Sequence, residues 1–129
     1  MIIHKAAPWV WAAFIFLAYS IPGKNLDQID PWDLFQFDKA IHLALFGVFS
    51  FLLSYFFQLK KESGVSSWRY YLPSVLIALS YGSLLEYFQS DWFSGRFTDP
   101  GDFIANALGA FLGVPLQLIW ERKMRWSEL

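Results

Sequence analysis

The stretch KAIHLALFGVFSFLLSYFFQL, residues 39–59, predicts the fold class of this 129-residue chain. It is long enough to cross the hydrocarbon core of a bilayer, which needs about 20 helical residues. Three more apolar runs lie at approximately 6–21, 70–89 and 102–120, and none alternates as a membrane β-strand would. Each span must satisfy its own backbone hydrogen bonds in lipid. We therefore expect an all-α, integral membrane four-helix bundle that forms one domain over residues 1–129.

The composition agrees with a lipid environment. The chain is 56% hydrophobic and 21% aromatic, and its mean hydropathy is +0.35. A soluble domain of this size cannot bury so much apolar surface, and the charged fraction of 16% is below that of typical soluble domains. With no cysteine, the chain has neither disulfides nor thiolate metal sites. No nucleotide-binding loop, serine triad or nucleic-acid patch is present, so the expected partner is the lipid bilayer.

The basic residues predict the orientation of the four spans. Seven of the ten fall on one side of this topology: Lys5, Lys60, Lys61, Arg69, Arg122, Lys123 and Arg125. By the positive-inside rule both termini are cytoplasmic, and the connections 22–38 and 90–101 face outward. Within the first connection, residues 31–37 follow an Asp-Pro pair and carry several aromatic side chains. This pattern predicts a short interfacial helix over approximately 31–37.

The stretch LLEYFQSDWFSGRFTDPGDFIANALG, residues 84–109, concentrates polar groups in an otherwise apolar chain. The predicted topology places these groups at the depth of the outer leaflet, together with those that open the second span. Their spacing of three or four residues gives each set one helical face. The resulting candidate site contains Asp38, Lys39, His42, Glu86, Gln89, Arg96, Asp99, Asp102 and Asn106.

Several of these residues have a structural explanation. Asp99 precedes Pro100 as an N-cap does, and Asp38 and Asp102 are open between capping and function. Glu86 lies near a helix C-terminus, where a carboxylate opposes the dipole, so capping does not explain it. Ionisable residues in spans usually face inward and pair. Small residues at 105, 109 and 113 predict close packing of the fourth span against the third.

The segments DKAIHLALFGVFSFLL (38–53), LLEYFQ (84–89) and GRFTDPGDFIANALGAFLG (95–113) resemble the VanZ-like membrane proteins. That family takes its name from an accessory protein of teicoplanin (glycopeptide antibiotic) resistance. The matching positions are Asp38, Lys39, His42, Glu86, Gln89, Arg96, Asp99, Asp102, Asn106 and Gly109. The resemblance implies a small multi-pass protein of the bacterial cytoplasmic (inner) membrane, active in the cell envelope, and it implies no settled chemistry.

Three functions are compatible with these residues. In the first, the outer-leaflet site binds an anionic lipid or a lipid-linked cell-wall precursor through Lys39, Arg96 and His42, with Asp38, Gln89, Asp99, Asp102 and Asn106 as further binding residues. The family resemblance implies that such a protein contributes to glycopeptide-type resistance. In the second, a membrane-embedded enzyme uses His42 and Glu86 as proton carriers and Arg96 as charge stabiliser, and Asp38, Glu86, Asp99 or Asp102 are candidate ligands of a divalent cation. In the third, the cluster is a clasp between helices, with every buried group paired.

Overall fold

The computed structural model describes residues 2–20, 31–61, 64, 66, 68–91 and 99–127, and the side chains of all of these except 2, 31–35, 90 and 91. Within these ranges the chain is all-α: four helices and no strand. They are α1 (Ile2–Tyr19), α2 (Pro31–Gln58), α3 (Trp68–Asp91) and α4 (Pro100–Ser127). Residues 31–37, expected as a separate interfacial helix, are instead the first two turns of α2.

Contacts between the helices establish their relative directions. Trp11 of α1 donates to the carbonyl of Leu45, while Tyr19 reaches His42, so α1 runs antiparallel to α2. Ser74 of α3 pairs with Ser54, and Glu86 lies near His42, so α3 is also antiparallel to α2. The helix α4 is parallel to α2, because Asp102 meets Lys39 at its start and Gln117 meets Gln58 further along. These are the directions that an up-down-up-down order requires.

Helix α2 makes the most extensive contacts in the bundle, and it touches all three other helices, as α3 also does. Its closest neighbour is α4, and glycine makes this approach achievable. A Cβ at Gly109 would collide with the carbonyl of Leu43 and lie 2.9 Å from the backbone nitrogen of Gly47, and one at Gly113 would lie 2.5 Å from the carbonyl oxygen of Gly47. The expectation that this small-residue face packs against the third span is therefore wrong. It packs against α2, where the backbones at Gly47 and Gly109 come into direct contact.

The middle of the bundle combines aromatic packing with serine hydrogen bonds. The rings of Tyr19, Phe46 and Phe49 follow one another edge to face, with centroids 6.3 and 6.5 Å apart. Buried Ser50 donates to the carbonyl of Ala110 at 2.6 Å, and Ser54 shares a 2.8 Å hydrogen bond with Ser74. Interhelical bonds of this kind are worth about 0.6 kcal/mol each in a membrane protein. The core therefore holds the helices in register by shape and by short polar contacts.

Two helical segments of the described chain are long and apolar enough to cross a membrane, Gln36–Gln58 and Pro100–Ser127. They correspond to the second and fourth expected spans. The other two, in α1 and α3, do not meet this criterion. Helix α3 carries several tyrosines and serines along with Glu86, which lower its hydropathy. Crossing of the bilayer by all four helices, and the cytoplasmic position of the termini, stay predictions.

Candidate functional site

The polar groups of α1, α2, α3 and α4 meet at one end of the bundle. Glu86 is 2% exposed and His42 is 4% exposed, and Asp102, Asn106 and Gln89 are buried as well. Lys39, Asp38 and Asp99 are half-buried around them. Burial of so many ionisable side chains is unfavourable unless they pair with one another. The contacts form two connected groups, one around Tyr19 and one around Lys39.

The hydroxyl of Tyr19 is at the centre of the first group. It donates to Oε1 of Glu86 at 2.8 Å and accepts from Nδ2 of Asn106 at 2.9 Å. The Nδ1 atom of His42 lies 2.8 Å from the same hydroxyl. Asn106 also donates to Oε1 of Glu86 at 3.1 Å, so that one carboxylate oxygen accepts two hydrogen bonds. One residue from each of the four helices takes part, and the group therefore depends on the complete bundle.

This geometry determines the tautomer of His42. Nδ1 lies 2.9 Å from Oδ1 of Asn106, and an amide oxygen only accepts hydrogen bonds. Nδ1 must therefore carry a proton. In the neutral ring the other nitrogen, Nε2, then has a lone pair. Nε2 faces the second group, at 3.6 Å from Oδ1 of Asp38 and 3.9 Å from Oδ2 of Asp102. Both distances exceed that of a hydrogen bond.

The ammonium of Lys39 organises the second group. It donates to Oδ2 of Asp99 at 2.6 Å and to Oδ1 of Asp102, and it lies 4.0 Å from Oδ2 of Asp38. The hydrogen bond from Lys39 lowers the pKa of Asp99 from its ordinary value, and a second bond from the amide of Gly101 acts in the same direction. Three carboxylates surround one ammonium, so this group has a formal charge of −2.

The structure separates capping from other roles for the three aspartates. Asp99 caps α4, as predicted, because its Oδ1 accepts from the amide of Gly101 at 2.8 Å and its carbonyl accepts from the amide of Asp102 at 3.0 Å. Asp102 lies in the first turn of α4 and bonds Lys39. Asp38 lies inside α2, which begins at Pro31, so it cannot cap that helix. Capping therefore accounts for Asp99 alone.

The structure describes the positions of Gln89 and Glu86 but not that of Arg96. Arg96 lies outside the described residues. Gln89 is buried on α3 one turn after Glu86, and its Nε2 has no hydrogen-bond partner among the described residues. The same holds for Oε2 of Glu86. Lys39, His42, Glu86, Asp102 and Asn106 come together, while their catalytic or binding roles stay predictions.

Tyr19 is the member of the site that sequence reasoning missed. A tyrosine at the end of an apolar run is usually an interfacial residue, and nothing distinguishes Tyr19 from that class. One signal could have identified it. The predicted topology places the end of the first span at the same depth as His42 and Glu86, so any polar side chain there was within reach of the site.

The fold and site together define an all-α protein in which four helices surround a buried His–Tyr–Glu–Asn group and a Lys–Asp group. Comparison with known families identifies it further. The sequence model of the VanZ/LLP1 family matches residues 6–121, and the chain belongs to this family. The resemblance stated from the motifs is thereby confirmed. No curated protein and no solved structure shows significant similarity to the chain.

Proposed function

We propose that this VanZ/LLP1 member is a four-span protein of the bacterial cytoplasmic membrane that binds an anionic lipid or lipid-linked cell-wall precursor at the outer leaflet. The distribution of side chains supports the membrane location. Large apolar residues on the outside of the helices are exposed, including Val10, Leu76, Phe111 and Ile119, whereas the interior holds His42, Glu86 and Gln89. A soluble protein has the opposite arrangement, and exposed apolar surface of this extent indicates contact with lipid.

The observation that carries lipid binding is a groove of about 320 Å³ between α2 and α4. Its floor and walls are apolar, and Lys39 and Gly101 lie at the end where α4 begins; the lining residues are Lys39, Ala40, Leu43, Gly101, Ile104, Ala105 and Leu108. An acyl or prenyl chain fits an apolar groove on the outside of a bundle. The groove therefore supports binding of the lipid tail, and because the ammonium of Lys39 is held by Asp99 and Asp102, the cationic partner that we propose for the headgroup is Arg96.

The two orphaned groups on α3 argue against a purely structural clasp. A clasp requires every buried polar group to be paired within the protein, and Oε2 of Glu86 and Nε2 of Gln89 have no such partner among the described residues. An unpaired buried polar atom costs about 1–3 kcal/mol. The site therefore retains hydrogen-bonding capacity that a ligand or solvent could use.

Native mass spectrometry of the protein extracted gently from bacterial membranes tests the lipid proposal. We expect a co-purified phospholipid or lipid-linked phosphate. Ala40→Trp should displace it, because Ala40 is exposed and lines the groove. Val48→Trp is the matched control, since Val48 is exposed on the same helix and outside the groove lining. Equal lipid retention in both variants would reject the groove as the binding site.

The cell-envelope role is tested by teicoplanin susceptibility of bacteria that express the protein. We expect Glu86→Gln and Arg96→Ala to abolish any resistance while the folded protein stays at its normal level. Reporter fusions in the 90–101 connection test the orientation, and a cytoplasmic signal there would reject an outer-leaflet site.

A membrane-embedded enzyme is the second candidate. The distance of 3.6 Å between Nδ1 of His42 and Oε1 of Glu86, with Tyr19 bonded to both, favours it. Proton carriers in acid/base catalysis require such proximity. His42→Gln separates the candidates: loss of turnover of a lipid-linked substrate with retained lipid binding indicates catalysis.

A further inference from the structure

We infer that Asp38, His42 and Asp102 form a binding site for one divalent transition-metal ion of the Mn²⁺ or Zn²⁺ type. One ligand atom from each residue lies within 4.8 Å of the other two. The site adds to the proposed lipid binding and does not depend on it. An imidazole nitrogen with two carboxylate oxygens suits these ions better than Mg²⁺ or Ca²⁺, which prefer oxygen alone.

The spacing of the three groups matches metal coordination better than hydrogen bonding. Nε2 of His42 is 3.6 Å from Asp38 and 3.9 Å from Asp102. Three atoms at these separations can all lie about 2.4 Å from one central point. That distance is close to the bonds of about 2.0–2.6 Å that divalent ions make with their ligands. Tetrahedral ligands at about 2.1 Å from a metal are about 3.4 Å apart, so only a small contraction is needed.

A buried nitrogen directed at the two carboxylates is the independent observation. His42 is only 4% exposed, and its Nε2 atom makes no hydrogen bond to any of the described residues. The proton on Nδ1 is held by Asn106 and Tyr19, so the neutral ring presents its lone pair toward Asp38 and Asp102. The two carboxylates favour a cation at Nε2, either a proton on the ring or a metal ion between the three groups. Metal-bound histidines are usually held in this way by a partner on the second nitrogen.

Lys39 positions both carboxylates from the opposite side. The ammonium of Lys39 bonds Oδ1 of Asp102, and the other oxygen of Asp102, Oδ2, faces His42. In the same way the ammonium approaches Oδ2 of Asp38, and Oδ1 of Asp38 faces His42. A divalent ion would neutralise the formal charge of −2 of the Lys39 group. The side chain of Asp38 is 30% exposed, which provides a route of entry. Open positions on the ion could then accept a lipid phosphate, and only that last step rests on the proposed function.

The test is Mn²⁺ titration of the full chain in detergent without added lipid, followed by electron paramagnetic resonance. We expect one Mn²⁺ per chain, and nitrogen hyperfine coupling from His42 in the pulsed spectrum. Zn²⁺ should displace the Mn²⁺ with the same stoichiometry. Asp38→Asn and Asp102→Asn should each weaken Mn²⁺ binding at least about tenfold, since even outer partners of metal ligands contribute about 10–100-fold.

Asp99→Asn is the matched control, because Asp99 also bonds Lys39 but lies outside the ligand set. It should weaken Mn²⁺ binding less than either ligand variant. Because Asp38 is partly exposed, Asp38→Asn should fold even if Asp102→Asn does not. Absence of stoichiometric binding, absence of nitrogen coupling, or undiminished binding in Asp38→Asn would each overturn the site. Mn²⁺ binding without co-purified lipid would reject only the lipid proposal, and lipid without Mn²⁺ would reject only the metal site.

Discussion

Gly109→Ala tests whether the site depends on the backbone contact between α2 and α4. The added Cβ would lie 2.9 Å from the nitrogen of Gly47 and 3.2 Å from the carbonyl carbon of Leu43. Ordinary contacts between such atoms are about 3.5–4.0 Å. The obstacle is backbone, so no side-chain rotation relieves the overlap. The two helices must separate locally by about 0.5–1 Å.

The expected loss has two parts. Overpacking of this kind costs about 1–3 kcal/mol. The same displacement would lengthen the 2.9 Å contact between His42 and Asn106 to about 3.4–3.9 Å, at or beyond hydrogen-bond distance, and would remove about 1 kcal/mol more. We therefore expect the free energy of unfolding to fall by about 2–4 kcal/mol.

Unfolding in mixed micelles, followed by tryptophan fluorescence, provides the measurement. Leu112→Ala is the control, because Leu112 is exposed on the same helix and its change should stay within about 0.5 kcal/mol. Gly82→Ala gives a second comparison, since its Cβ would meet the ring of Phe46 at 3.0 Å, a side-chain contact in place of a backbone one. If Gly109→Ala unfolds within about 0.5 kcal/mol of the parent protein, the reasoning on α2–α4 packing is refuted.

Three further predictions concern single side chains. Tyr19→Phe should lower the free energy of unfolding by about 1–3 kcal/mol, because it leaves Glu86 and Asn106 without their shared hydroxyl, and Tyr55→Phe should have little effect in the same chemical-unfolding assay. The pKa of Asp99 is lower in the folded protein than in the unfolded chain, where it is about 3.9. The ionised carboxylate of Asp99 therefore stabilises the fold fully above the unfolded pKa, and this contribution is lost as the pH falls through the lower folded pKa. Melting temperatures from pH 5 to pH 2 should therefore drop less in Asp99→Asn than in the parent protein, and parallel curves would contradict this. Ser54→Ala should destabilise the bundle by about 0.6 kcal/mol by removing the bond to Ser74, and the double variant with Ser74→Ala should cost less than the sum of the two single changes.

The helices could be predicted from the sequence because their signal is local. The apolar runs at 39–59 and 102–120 correspond to α2 and α4, and the cap formed by Asp99 and Pro100 marks the start of α4. The alternation of charged and apolar segments also led to the correct relative directions of the helices. The continuity of residues 31–37 with the rest of α2 could not be predicted from the sequence, since an Asp-Pro pair opens a short helix and a long one equally well.

The approximate membership of the site followed from helix direction, since antiparallel and parallel helices of similar length bring known ends together. Lys39, His42, Glu86, Asp102 and Asn106 were placed in this way. Their partners were not. The spacing of residues on one helix gives no information on which neighbour it faces, so the sequence predicts neither the contact of the small-residue face of α4 with α2 nor the participation of Tyr19 in the site.

Composition and the order of apolar segments thus determined by themselves that the chain forms four helices with its buried ionisable groups at one end. The division of those groups into a Tyr19 centre and a Lys39 centre, with His42 between them, was decided only by the tertiary structure. The physical reason is the distance along the chain over which the relevant interactions act. Helix formation depends on residues within a few positions of one another, whereas the tautomer of His42 and the spacing of the two aspartates depend on how closely Gly109 lets α4 approach α2.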